Sequence, residues 1–283
     1  MHAARVWRLL RQAAENWSAD QASSLGAALA FYCAFSLAPL IVIIVTIVGQ
    51  IVGTQTAYGY VAAQLSVLLG TGSAQIVLAA VRGSQTHQGT LATLVSVVTL
   101  IVGATTVFAV LETALELMWG IDPRLTQGWR AFVRTRLMSL GVILALGFLL
   151  LVSLSITTAL NAVRGLISHQ YAGFIILTEG FNVLLSLAMS TSVVALIYQY
   201  MPARRLAWTP ILYGALVTAL LFHLGRWAIG LYLAKALQPS AFGAAASFVA
   251  LLLWLYYSAQ IFLFGAELTA CLANARNRSG ASI

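Results

Sequence analysis

Residues 25–49 form a run of 25 positions without one charged side chain. As a helix rising about 1.5 Å per residue, such a run crosses a hydrocarbon layer roughly 30 Å thick. Small residues (Gly26, Ala27, Ala28, Ala30, Ala34) fill its first half and β-branched residues its second. Small side chains let a second helix approach closely, so the first half is expected to face protein rather than lipid. Ser36 and Pro39 sit at the join. Pro39 has no amide hydrogen and is expected to bend the helix, freeing a carbonyl one turn earlier for a Ser hydroxyl, a water or a neighbouring helix. Such a break serves either as a packing kink or as the lining of a substrate path.

The rest of the chain extends this pattern. Of its 283 residues, 61% are apolar and only 8% charged, too little charge to coat the surface of a water-soluble domain. The expected fold class is therefore all-α, a polytopic membrane protein of six transmembrane helices. The apolar runs place these spans near 25–49, 89–119, 137–160, 174–200, 210–233 and 242–272. Before them, residues 1–22 read as a cytoplasmic amphipathic segment. Val6, Leu10, Ala13 and Trp17 fall on one face, Arg5, Arg8 and Glu15 favour the other, and the segment suits the membrane interface. It does not read as a cleavable signal, because the apolar run behind it is too long. Residues 54–88 read as short outer-face helices between the first two spans, each too short to cross, interfacial or re-entrant. Residues 273–283 read as a cytoplasmic tail.

The net charge of +8 suggests nucleic acid at first, but the placement of the charges argues for topology instead. Arg5, Arg8 and Arg11, the loop arginines 124, 130, 134 and 136, then Arg204, Arg205, Arg276 and Arg278 all fall on one side of the six spans. The other side has Arg82, Arg164 and Lys235. Cytoplasmic loops carry such an excess, so both termini are expected in the cytoplasm. Cys33 and Cys271 lie in apolar surroundings far apart and read as packed thiols. No metal-ligand spacing, nucleotide-binding GxxxxGK[ST] pattern or other cofactor motif is expected to operate here.

Ionisable residues inside spans must be paired, neutralised or wetted. Glu112 and Glu116, four residues apart on one helix face, and Glu267 fall in the cytoplasmic halves of the second and sixth spans. They make a candidate inner polar cluster. Arg226 lies on the order of 20 Å from that depth, counted in helical rise. A bridge from Arg226 to Glu267 is therefore not expected, and Glu179 is its better partner. Glu179, His223 and Arg226 make a candidate outer cluster. Each set either fixes helix register as satisfied pairs or contacts a transported proton, cation or substrate. The aromatic stretches (Phe31, Tyr32 and Phe35; Trp254, Tyr256 and Tyr257) read as core packing or lipid contact, with contact to an amphipathic substrate as the alternative.

Several stretches carry a resemblance. They are ALAFYCAFSLAP at 28–39, Tyr200-Met-Pro202 with Trp208, Tyr213-Gly-Ala215, and the segment from Phe248 with Trp254-Leu-Tyr256 and Gly265-Ala-Glu267. Their order and spacing resemble the YihY/BrkB family of bacterial inner-membrane proteins. The resemblance implies an all-helical, six-span protein of the bacterial inner membrane, and it aligns Glu267 with the family's Gly-Ala-Glu motif. Members have carried the label ribonuclease BN. Phosphodiester hydrolysis, however, commonly needs clustered acids and histidines holding metal in an aqueous site. Outside the spans this chain has only Glu15, Asp20 and Asp122 as acids.

Three functions remain in view. The first is a transporter or exporter of a small solute or amphiphile, working through the intramembrane carboxylates. The second is a membrane scaffold or partner of envelope machinery. The third, an enzyme, is disfavoured. The expected partners are the lipid bilayer, an unidentified solute or lipid and a second copy of the chain, with no nucleic acid.

Overall fold

The structure, a computed structural model, describes residues 2–69, 78, 90–121, 141, 172–236 and 243–280. These contain seven helices and no strand: α1 His2–Ala19, α2 Ala22–Val52, α3 Thr54–Leu69, α4 Thr90–Met118, α5 Ala172–Tyr200, α6 Trp208–Ala236 and α7 Gly243–Gly280. Helices thus lie at five of the six expected span positions. The third, 137–160, falls outside the described residues apart from Gly141, as do the loop arginines 124, 130, 134 and 136. Among the described residues, three stretches are long and apolar enough to cross a membrane: Val183–Tyr200, Trp208–Gly225 and Leu251–Arg276.

Helix ends follow local chemistry. α4 stops at Gly120, whose φ of +68° is the left-handed conformation that glycine adopts without penalty. There the Ile121 amide donates to the Glu116 carbonyl at 2.8 Å and the Gly120 amide to the Leu117 carbonyl at 2.9 Å, closing the helix before Asp122-Pro123. Gly53, at φ +88°, separates α2 from α3. α3 begins at Thr54 and is a single helix of 16 residues, the first of the two short helices expected here. The second falls mostly outside the described residues. Between α5 and α6 the turn is built on buried Met201 and Pro202. Arg205 lies 5.6 Å over the Tyr200 ring, and Trp208 meets that ring edge-on at 6.4 Å. Pro210 falls in the first turn of α6, where a missing amide hydrogen breaks no helical bond.

The chain divides into two compact units. Unit 2 comprises Ser23–Leu111 and Gly225–Gln260. In it the small-residue face of α2 does meet protein. Gly26, Leu29 and Ala30 are buried, the Gln260 side chain of α7 lies over Gly26, and its Nε2 donates to the Ser23 carbonyl at 3.3 Å. Further along α2, Ser36 sits against Gly103 of α4 and donates to the Cys33 carbonyl at 2.9 Å. The opposite face shows Phe31 and Phe35, stacked with centroids 6.1 Å apart and 58% and 61% exposed. α2 stays helical through Pro39, so the proline does not end the element. In the same unit Gly225 of α6 lies against the Tyr257 ring of α7.

Unit 1 comprises Met1–Ala22, Glu112–Leu224 and Ile261–Ile283. Its core is the second half of α7, where Leu263, Ala266, Glu267, Leu268, Thr269, Ala270 and Cys271 are all buried. A helix covered on every side must be the central one. Residues 273–280 are helical and continue α7. The apolar face of α1 packs on protein: Ala13 contacts Leu268 and Cys271, with Leu9, Leu10, Val217, Phe264 and Leu272 around them. The small side chain of Ala13 is what lets the two backbones approach. The outer face of α1 carries an exposed Arg11–Glu15 pair at 2.8 Å.

α1 and α2 join at Gln21, the only described non-glycine residue with a positive φ, +52°. A side chain costs roughly 1–2 kcal/mol in that region and glycine nothing. Replacement of exposed Gln21 by Gly is therefore expected to leave stability unchanged or raise it by up to about 1 kcal/mol, and Gln21→Val to lower it. Thermal unfolding of the two variants in detergent checks the opposite signs.

Candidate functional site

The crossing of α6 and α7 in unit 1 is unusually close because glycines stand at it. The Cα of Gly214 faces Thr269 and the Gly265 carbonyl, and the Cα of Gly265 faces Thr218 and the Tyr198 hydroxyl. The two helices run in opposite directions, so the Tyr213-Gly-Ala215 and Gly265-Ala-Glu267 motifs are brought against each other. Every hydroxyl at the crossing is satisfied. Thr218 donates to the Gly214 carbonyl and Thr269 to the Gly265 carbonyl, both at 2.8 Å. Tyr198 of α5 donates to the Phe262 carbonyl at 2.5 Å and lies 3.2 Å from the Thr218 hydroxyl. In a segment away from water, such internal partners are what a polar group requires.

On another face of α7 the accounting does not close. Glu267 is 0% exposed, and neither carboxylate oxygen meets a hydrogen-bond partner in good geometry. The side chains that face it come from the end of α1, Asp20 and Asn16. One turn along α7, the Cys271 thiol is within its electrostatic reach. The Asn16 amide donates to the Cys271 sulfur at 3.6 Å. α1 therefore serves as the cover of Glu267: Ala13 packs, and Asn16 and Asp20 present the polar groups.

Of the expected inner cluster, Glu116 is also buried, at 2% exposure, and Glu112 is half-buried. Both belong to unit 1 with Glu267. On α1, Arg11 pairs with Glu15. The side chain that faces Glu267 with a charge is another acid. Of the expected outer cluster, His223 is half-buried with its Nε2 3.3 Å from the Ser190 hydroxyl of α5. The side chains of Glu179, Arg226 and Pro39 lie outside the described residues, so the Glu179–Arg226 pairing does too. Residues not anticipated are Asn16, Asp20, Tyr198 and Ser190. Asn16 and Asp20 share a helical face with Ala13 and Trp17, but spacing alone does not say what that face meets. Among the described residues, no three His, Cys, Asp or Glu side chains gather in a group able to hold a metal ion.

The family described as Virulence factor BrkB matches residues 13–282, a span that includes α1's Asn16 and Asp20 together with Glu267. The chain belongs to the BrkB family. Among BrkB-like relatives, a UPF0761 membrane protein of Cronobacter sakazakii is 34% identical over 172 residues, covering 58% of this chain and 57% of its own length. One from Pseudomonas paraeruginosa is 32% identical over 201 residues, covering 68% of this chain and 45% of its own. One from Klebsiella pneumoniae is 33% identical over 177 residues, covering 60% and 59%. The chain spans about half the length of the curated relatives it matches. No solved structure matches. With its apolar helices and these relatives, the chain is a membrane protein of the BrkB family.

The glycine crossing makes a direct prediction. A methyl group at position 265 would overlap the Thr218 and Tyr198 hydroxyls, and threonine is stiff at χ1, so neither helix yields easily. Gly265→Ala is expected to destabilise the protein by about 1–3 kcal/mol. Adding Thr218→Ala, which removes the nearest atom, is expected to restore part of the loss. Thermal unfolding of both variants in the same detergent decides it.

Proposed function

We propose that this BrkB-family protein is a six-span transporter or exporter of a small solute or amphiphile in the bacterial inner membrane. Both termini lie in the cytoplasm, and transport depends on Glu267, with Glu112 and Glu116 as further acids of the same unit. The reading is of a carrier without a chemical step, in contact with lipid and able to assemble with copies of itself.

The observation that carries this reading is Glu267 itself. A carboxylate completely buried in an apolar helix, with neither oxygen hydrogen-bonded, contributes nothing to packing that a glutamine of the same size could not. Intramembrane ionisable residues of this sort mark ion and substrate pathways. The excess of arginine on one side of the apolar runs supports the orientation.

The test is flux into proteoliposomes of purified protein, using a panel of inorganic ions, osmolytes and headgroup-labelled lipids. Wild type is expected to move at least one member above empty liposomes, and Glu267→Gln to fall to background while keeping its melting temperature. Absence of flux for the whole panel, or full flux in the glutamine variant, would overturn the reading. Reporter fusions at the C-terminus are expected to place it in the cytoplasm.

A further inference from the structure

We propose that Asp20 and Glu267 form a carboxyl–carboxylate pair that binds one proton between them. As the coupling ion this proton rests on the transport reading above, though the pair itself is measurable without transport.

Two separate observations support it. The first is that Glu267 is fully enclosed and both its oxygens lack a partner, so its polar atoms point to a ligand that the side chains alone do not supply. The second is what encloses it. α1 lays Ala13 on Leu268 and Cys271, which seals the contact with apolar atoms, and places Asp20 and Asn16 towards the carboxyl. The groups that face Glu267 are thus Asp20 and Asn16 from α1 and Cys271 from α7 itself; Val217, which α6 adds to the same cluster, is apolar. Glu267 is enclosed and Asp20 half-buried beside it, so two charged carboxylates there repel with less water to screen them than at an open surface. One proton, taken from hydronium, removes the conflict. It forms an O–H bond on one carboxyl, which donates a hydrogen bond to the other, and a single negative charge is left spread over the pair. The amide of Asn16 supplies a donor to that charge. Protons in such a pair belong to both groups, as interacting sites require.

A multivalent metal ion fits less well, since the described residues offer no group of three acidic, histidine or thiol ligands. The position of Asp20 also has a structural cause. It is the last residue before the left-handed Gln21, and its amide still bonds to the Asn16 carbonyl at 2.8 Å, so the end of α1 holds both side chains in register.

The experiment is infrared spectroscopy of the purified full chain in lipid nanodiscs, following the carbonyl stretch of protonated carboxyl groups over an acid-to-alkaline series. Wild type is expected to show one protonated-carboxyl band that disappears at alkaline pH. Glu267→Gln should abolish it or move it to the frequency of a lone aspartic acid. Asp20→Asn should shift both its frequency and its midpoint, because the hydrogen-bond partner has changed from carboxylate to amide. A band indifferent to Asp20→Asn would overturn the pairing, as would loss of the band on adding sodium or potassium at constant pH, which would assign the site to a metal cation. If Glu267→Gln does not fold, the Asp20→Asn arm gives the same decision. A normal band without any flux would sink the transport reading and leave the pair standing. Flux that depends on Glu267 with no such band would do the reverse.

Discussion

The close approach of α6 and α7 is the constraint on which unit 1 depends. In a lipid environment there is no hydrophobic drive between one greasy helix and another, so association rests on dispersion contacts and hydrogen bonds. Gly214 and Gly265 remove the side chains that would hold the helices apart, and Thr218 and Thr269 then lie against backbone. The hydroxyls return their hydrogen bonds to the carbonyls of their own helices. Tyr198 joins the third helix by capping the Phe262 carbonyl, and its ring lies 4.9 Å from Phe262. The result is one stripe of α7 locked between α5 and α6.

That lock leaves a different stripe of α7 free to carry chemistry. Glu267 and Cys271 are offset from Gly265 and Thr269 around the helix, and their polar neighbours come from the end of α1. The contrast between the two stripes is what gives Glu267 its meaning. Where the structure needs rigidity, the described hydroxyls are paired. Where it encloses an acid, the cover is a short amphipathic helix whose outer face is polar and whose junction to α2 runs through a left-handed residue.

Much of this could be read from the chain. The uncharged run at 25–49 announced a membrane protein, and helices occupy the described apolar runs. The small residues of α2 pointed to protein contact, and Gly26 and Ala30 are buried as that reasoning requires, while the aromatic Phe31 and Phe35 face outward. Burial of Glu116 and Glu267 also followed from hydropathy, because both sit in apolar helices. Asp20 did not follow. It lies at a helix end outside the apolar runs, a place that by composition suits solvent, and only the fold of α1 against α7 brings it towards Glu267. The same holds for α1 as a whole: an amphipathic face looks alike whether it meets headgroups or another helix.

The sequence by itself determined that this chain is helical, membrane-embedded and sparing with charge, because transfer free energy is a property each residue carries locally and adds along a run. Which polar groups meet was decided by the tertiary structure alone. Ser190 with His223, Tyr198 with Phe262 and Asp20 with Glu267 are each contributed by different helices. Their meeting depends on where two helices cross and how close a glycine or an alanine lets them come, and no local pattern encodes that geometry.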